Sequence, residues 1–202
     1  GVDRHDSGEV LIGNKKARIH HPKDSIRRGV SMVTEDRLMT GIISILSVRE
    51  NMSLANLPSY CNKLKFVQTA REEREVDKMV ERMNVKLSTP AQPIGSLSGG
   101  NQQKAILGKW LLTKPNVLIL DEPTRGIDVG AKYEIYSLIA KLAAEGMAVI
   151  LISSELPEMM GMADRVITFC EGRITAEFTS NEIEQERIVN AAFGFQNAEE
   201  LS

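Results

Sequence analysis

The sequence predicts an α/β fold: a mostly parallel sheet interrupted by a helical insert. Three observations carry this. Residues 117–120 are four branched apolar residues without a polar interruption, followed by Asp121, Glu122 and Pro123. An apolar run of that length suits a strand buried on both faces, as in a parallel sheet. After Pro115, strand-like and helix-like stretches alternate. Residues 42–112, in contrast, carry helical rather than strand periodicity. On this reading residues 1–202 form a single partial domain, with residues 1–41 and 113–202 as its sheet core and residues 42–112 as a helical subdomain.

The elements follow in order. Asp6-Ser7-Gly8 is a turn. Residues 9–12 and 16–19 are short strands around Gly13-Asn14, a hairpin signal. Residues 22–28 form one short helix closed by Gly29. Residues 30–34 form an apolar strand ending at Glu35-Asp36-Arg37. Residues 40–45 are loop-like and apolar. Ser47 and Glu50 fit a capping box that opens a helix towards Leu57. Thr69 and Glu72 fit another, opening a longer charged helix with Val76, Met79, Val80 and Met83 on one face. That stripe is packing rather than a cofactor site. Pro90 and Pro93 break the chain before a Gly-rich turn.

Ser98 is a good N-cap for the next helix, which continues through Leu111. Beyond residues 117–120, a helix presents Ile135, Leu138, Ile139 and Leu142 on one face and stops at Gly146. Residues 147–152 form a buried strand. Leu156–Met162 forms a short helix with Pro157 in its first turn. Residues 166–169 and 173–178 flank Glu171-Gly172 as a hairpin. Thr179, Asn181 and Glu182 begin a last helix that reaches Phe193-Gly194, and residues 195–202 read as a frayed tail.

Composition narrows the function. With 25 basic and 27 acidic residues and a net charge of -2, there is no electrostatic case for nucleic acid or an acidic membrane surface from overall charge. Cys61 and Cys170 lack metal-type spacing and suit a reducing compartment. His20 and His21 stand together with only His5 nearby, as surface residues rather than ligands. No apolar run reaches the roughly 18 residues of a membrane span. The first residues, from Gly1, show neither an initiator Met nor a signal peptide.

Two stretches carry chemistry. A buried strand that ends in two adjacent acids points them at a cleft, because clefts lie at the open end of a parallel sheet. Asp121 then suits a metal and Glu122 a water, although an acidic turn after a strand explains the same residues. The stretch LSGGNQQK begins at Leu97. Its glycines let backbone N–H groups approach a ligand, and the following helix directs its positive end there, which suits phosphate. A capped helix after a Gly turn is the plain alternative.

Together the stretches are specific. LSGGNQQK, a gap of twelve residues and VLILDEPT resemble the signature motif and Walker B of the ATP-binding cassette proteins. Arg125-Gly126-Ile127-Asp128 falls at that family's D-loop, and the resemblance covers essentially the whole chain. DEPTRGIDVGAK and ISSELPE resemble more narrowly the C-terminal cassette of bacterial monosaccharide importers of ribose, galactose or xylose type. TEDRLMTGI and GAKYEIY look closest to the galactose/methyl-galactoside member.

The resemblance implies the rest. The fold is a RecA-like cassette domain, and the cofactors are ATP and Mg²⁺. Asp121 holds the metal, and Glu122 orients or deprotonates the attacking water. Ser98, Gly99, Gly100 and Asn101 bind the γ-phosphate of a nucleotide on a facing cassette, and Asp128 contacts across that interface. Implied partners are an N-terminal cassette of the same polypeptide, membrane permease subunits and, indirectly, a periplasmic or lipid-anchored sugar-binding protein, with no nucleic acid. The location is peripheral, on the cytoplasmic face of the cell membrane. Residues 35–57 carry the permease contact.

Three departures qualify this. The pattern Gly-x-x-x-x-Gly-Lys-Ser/Thr does not occur, and the only Gly-Lys pair, Gly108-Lys109, precedes Trp110 inside a helix. The expectation is therefore a domain lacking its N-terminal P-loop part, inactive in isolation. Glu35 stands in place of the Q-loop glutamine. Ser154 stands in place of the switch histidine, with a hydroxyl's shorter reach. One alternative function is a regulatory or structural cassette half that completes its partner's site. Another is a soluble cassette ATPase acting on ribosomes or DNA.

Overall fold

A computed structural model describes residues 1–3 and 5–194. The tail expected at residues 195–202 lies outside the described residues. The chain divides into two compact units, Gly1–Ile152 and Ser153–Ser202.

The first unit opens with a two-stranded ribbon, β1 (Leu11–Ile12) against β2 (Lys15–Lys16). It is shorter than the expected hairpin at 9–12 and 16–19. Asn14 and Gly13 turn it with φ of 59° and 55°. Helix α1 (Pro22–Arg27) leads into β3 (Val30–Val33). A π-helical turn, Arg37–Gly41, follows, capped by Asp36, whose Oδ1 accepts from the N–H of Leu38 at 3.0 Å and Met39 at 2.9 Å. Helices α2 (Val48–Ser53), α3 (Thr69–Arg82) and α4 (Gly99–Leu111) come before β4 (Val117–Asp121). Helix α5 (Val129–Ala144) then leads to β5 (Ala148–Ile152).

The sheet is parallel with order β3-β4-β5. Strand β4 is central, so its backbone is paired on both sides and its acidic end emerges between two neighbours. Leu118 and Leu120 are fully buried on one face, with Val33, Ile106, Leu107, Ile135 and Leu142 also buried in this unit. Val117 and Ile119, on the other face of β4, are only half-buried. The expected burial on both faces therefore holds for one. The reading of 147–152 as a buried strand is corrected too: β5 borders the described sheet, and Ile150 and Ile152 are 51% and 46% exposed.

Local signals differ in how they resolve. Ser47 and Glu50 form their capping box: Glu50 N donates to Ser47 Oγ at 3.1 Å and Ser47 N to Glu50 Oε2 at 2.8 Å. At Thr69 the box does not form. Gln68 is the N-cap of α3, Thr69 is its first helical residue, and Glu72 turns inward and is buried.

The second unit contains α6 (Leu156–Met162), an antiparallel pair β6 (Arg165–Cys170) and β7 (Arg173–Thr179), and α7 (Gln185–Ala192). Val166, Phe178, Ile188 and Ala191 form its core. The last helix begins later than expected: Thr179 and Glu182 form a capping box, but it opens a single 3₁₀ turn ahead of α7.

Candidate functional site

The site is assembled from three segments of the first unit: the end of β4, the start of α4, and the turn after β3. At the end of β4, Asp121 pairs in register with Ile152. Glu122 takes a left-handed backbone with φ of 46°, and its N–H donates to Ile152 O at 2.9 Å. A left-handed non-Gly residue costs on the order of 1 kcal/mol and is held only where its surroundings fix it. The chain reverses here, and Arg125 N donates to Glu122 O at 3.1 Å. Thr124 is buried, and its Oγ1 accepts from the Tyr136 hydroxyl at 3.2 Å.

Sequence reasoning missed the role of Arg125. Its guanidinium forms an ion pair with Glu35. The segment after β3 is thereby joined to the acidic end of β4, and the negative charge of Glu35 has a cation beside it. Both side chains are solvent-exposed, so the pair contributes little to stability and more to local charge balance. The signal for it was the cation three residues after Glu122.

At the start of α4, Ser98 is the N-cap with extended backbone, but its hydroxyl does not cap the helix. Instead it accepts from Asn101 Nδ2 at 2.9 Å, while Asn101 Oδ1 accepts from Lys86 N at 2.8 Å. A helix start without a side-chain cap keeps its N–H groups directed outward, the arrangement that binds anions. Gly100 is required by packing: a Cβ there would meet Ala131 Cβ at 2.5 Å, so α4 and α5 approach closely. A Cβ on Gly99 would lie 3.2 Å from Arg37 Nη2 and 3.4 Å from Ile127 Cγ2. The Gly turn is thus adjacent to the segment leading into α5. Asp128 lies in that segment as the N-cap of α5, with Oδ1 accepting from Ala131 N at 2.9 Å.

The π-helical turn is fastened to α4 along one face. Arg37 Nε donates to Gln102 Oε1 at 3.0 Å, and Gln102 Nε2 donates to Leu97 O at 3.1 Å. A Cβ on Gly41 would lie 2.9 Å from Ile106 Cδ1, and Lys109 Nζ donates to Gly41 O at 2.6 Å. Gln102, Ile106 and Lys109 recur at helical spacing on that face. Burial holds the Arg37 guanidinium below its ordinary value and lowers Lys109 to about 8. Glu35 is thus tied through Arg125 to the turn that follows Glu122, and the π-helical turn is tied to α4 through Gln102 and Lys109. Ser154 lies in the second unit, directly after Ser153, whose hydroxyl donates to Glu158 Oε2 at 2.7 Å.

Among the described residues no three His, Cys, Asp or Glu side chains cluster to hold a metal ion. The Asp121 carboxylate at the end of β4 is of the kind that holds Mg²⁺ together with phosphate oxygens, an arrangement that needs only one or two protein carboxylates. Also among the described residues, no helix is long and apolar enough to cross a membrane.

Comparison with known proteins follows this geometry. The chain is 46% identical over 194 residues to a ribose import ATP-binding protein, RbsA, of Oceanobacillus iheyensis, covering 96% of this chain and 39% of that protein. It is 50% identical over 194 residues to a putative ribose/galactose/methyl galactoside import ATP-binding protein of Pseudomonas fluorescens, covering 96% of this chain and 38% of that one. The chain thus spans 39% and 38% of the lengths of these two relatives. Its fold is shared with MJ1267, an ATP-binding cassette of an ABC transporter, in the ADP conformation: TM-score 0.75 at 23% identity, covering 94% of this chain and 78% of that one.

The family model "ABC transporter" matches residues 1–125, opening at the first residue and ending just past the β4 acids. It gives no sign of a missing P-loop. The expectation of a domain lacking its N-terminal part, and therefore inactive in isolation, is corrected on this ground. That expectation rested on the absence of the Gly-x-x-x-x-Gly-Lys-Ser/Thr pattern and on the place of the phosphate loop in the family that the motifs resemble. By this match the chain belongs to the ABC transporter family.

Proposed function

We propose that the chain is an ATPase cassette that drives monosaccharide uptake through a membrane permease. Its residues 1–202 act as one nucleotide-binding domain, with residues 42–112 as the helical subdomain. The observation that carries this reading is the joining of the signature turn at Ser98-Gly99-Gly100 to the Glu35 segment and the start of α5 through Arg37, Ile127 and Ala131. The import proteins at 46% and 50% identity support the substrate class.

The roles are those that the resemblance of LSGGNQQK and VLILDEPT implies, and the positions of these residues support them. ATP is the substrate and Mg²⁺ its companion, which neutralises phosphate charge when bound. Asp121, at the end of β4, is the carboxylate that takes the ion. Glu122 orients or deprotonates the attacking water, and its left-handed backbone turns it out of the strand. Ser98, Gly99, Gly100 and Asn101 present α4's positive end to the γ-phosphate of ATP on a facing cassette. Asp128 contacts that cassette with the oxygen its cap leaves over. Glu35 meets the ion or its water with Arg125 balancing its charge, and Ser154 supplies a hydroxyl to phosphate.

The facing cassette is an N-terminal one in the same polypeptide. The permease docks over residues 35–57, where Leu38, Met39 and Ile45 are 57%, 80% and 86% exposed. Such apolar exposure on a connecting segment suits burial in a partner. A sugar-binding protein, periplasmic or lipid-anchored, acts through the permease, and the cassette is peripheral on the cytoplasmic face. The test is reconstitution of the importer ATPase with its permease in vesicles. ATP should drive uptake of ribose, galactose or xylose, and Glu122→Gln should slow it about 100-fold or more. Uptake independent of ATP, or co-purification with ribosomes instead of membrane, would contradict the proposal.

A further inference from the structure

One exposed loop has no part in the nucleotide chemistry. Residues 62–66 fold back tightly: Asn62 N donates to Phe66 O at 2.8 Å, and Lys65 N donates to Asn62 O at 2.9 Å. Asn62 Oδ1 accepts from Leu64 N at 2.9 Å and Phe66 N at 3.0 Å. Cys61 and Val67 bridge its base. This firm backbone displays apolar side chains: Leu64 is 77% exposed, Phe66 69% and Val67 41%. Two exposed cations, Lys63 and Lys65, alternate with them.

The loop itself carries only positive charge, at Lys63 and Lys65, while Glu72, Glu73 and Glu75 follow on α3. The eighteen residues 54–71 contain Lys63, Lys65 and Arg71 and no Asp or Glu, in a chain whose net charge is -2. Beside the loop's base lies a groove of about 580 Å³, lined by Tyr60, Arg71, Lys78, Arg82 and Lys114 with Glu75 as its acid. Arg82 pairs with Glu145, and Lys78 with Glu75 at 3.4 Å. Aromatic and aliphatic groups interleaved with lysines insert into the boundary of a bilayer, while the lysines meet anionic headgroups.

We propose that residues 62–67 are a docking tip for an anionic lipid surface, with Leu64 and Phe66 entering the headgroup boundary and Lys63 and Lys65 meeting lipid phosphate. The proposal extends the importer reading but is independent of nucleotide turnover, so either can fail alone.

The test is co-sedimentation of the 202-residue chain with protein-free vesicles of phosphatidylglycerol and phosphatidylcholine, against phosphatidylcholine alone, at low salt. Binding is expected to the anionic vesicles and to weaken as salt rises. Leu64→Ser with Phe66→Ser should reduce it about tenfold. Replacing Lys63 and Lys65 by Ser should reduce it about fivefold per lysine. Circular dichroism of each variant should match the parent chain. Equal binding to both vesicle types, or unchanged binding by both double variants, would overturn the proposal. So would capture only by membranes that contain the permease, which would assign the tip to a protein partner.

Discussion

Lys109 shows how one residue can set a measurable property of this chain. It is buried on α4 with its ammonium bonded to Gly41 O and 5.2 Å from the Trp110 ring centroid. Burial lowers its pKa from 10.5 to about 8. The unfolded chain keeps the ordinary value, so between those two pH values it binds more protons than the folded chain. Stability should therefore rise with pH through that window, by at most about 3 kcal/mol, and the burial penalty is fully present below it. Denaturant titrations at pH 7.5, 8.5 and 9.5 would show the slope in the parent chain and its loss in Lys109→Met. An equal slope in both would remove Lys109 as its source. Glu122 carries a different message: its φ of 46° cannot be read from an Asp-Glu-Pro spelling, and Glu171 in the β6–β7 turn shares that backbone at 48°.

Among the elements, α4 does most to position the site. Its start packs on α5 through Gly100, and its flank holds the turn after β3. Gly100→Val should push α5 away at Ala131 and cost about 1–3 kcal/mol of stability, measured as a lower denaturation midpoint. A change below about 0.5 kcal/mol would mean the helices part without cost. The helix itself was legible in the sequence, because its N-cap position, periodicity and Gly turn are all local, although the Ser98 hydroxyl does not cap it. The Ser47–Glu50 box was legible for the same reason. Its twin at Thr69 and Glu72 was not, since tertiary packing drew Glu72 inward and passed the cap to Gln68. The Arg37–Gln102 bond joins residues 65 positions apart, and spacing carries no information over that distance. Nor did four apolar residues reveal which face of β4 would be covered, or that β5 would border the described sheet with Ile150 and Ile152 half-exposed.

For the whole molecule, family and fold were legible because LSGGNQQK and VLILDEPT are long, ordered and separated by a characteristic gap. The absent Gly-x-x-x-x-Gly-Lys-Ser/Thr pattern misled, since the family model matches residues 1–125 and gives no sign of a missing P-loop. The proposed function turns on the Ser98-Gly99-Gly100 turn acting on ATP held by a facing cassette. The most direct measurement is single-turnover ATP hydrolysis by the assembled importer ATPase, comparing Ser98→Arg with the parent, together with nucleotide affinity at this cassette's own site. Hydrolysis at the facing site should fall about 100-fold, as for loss of a preorganised anion donor, with this cassette's own affinity unchanged. Unchanged hydrolysis at the facing site, or loss of affinity at this cassette's own site instead, would contradict it.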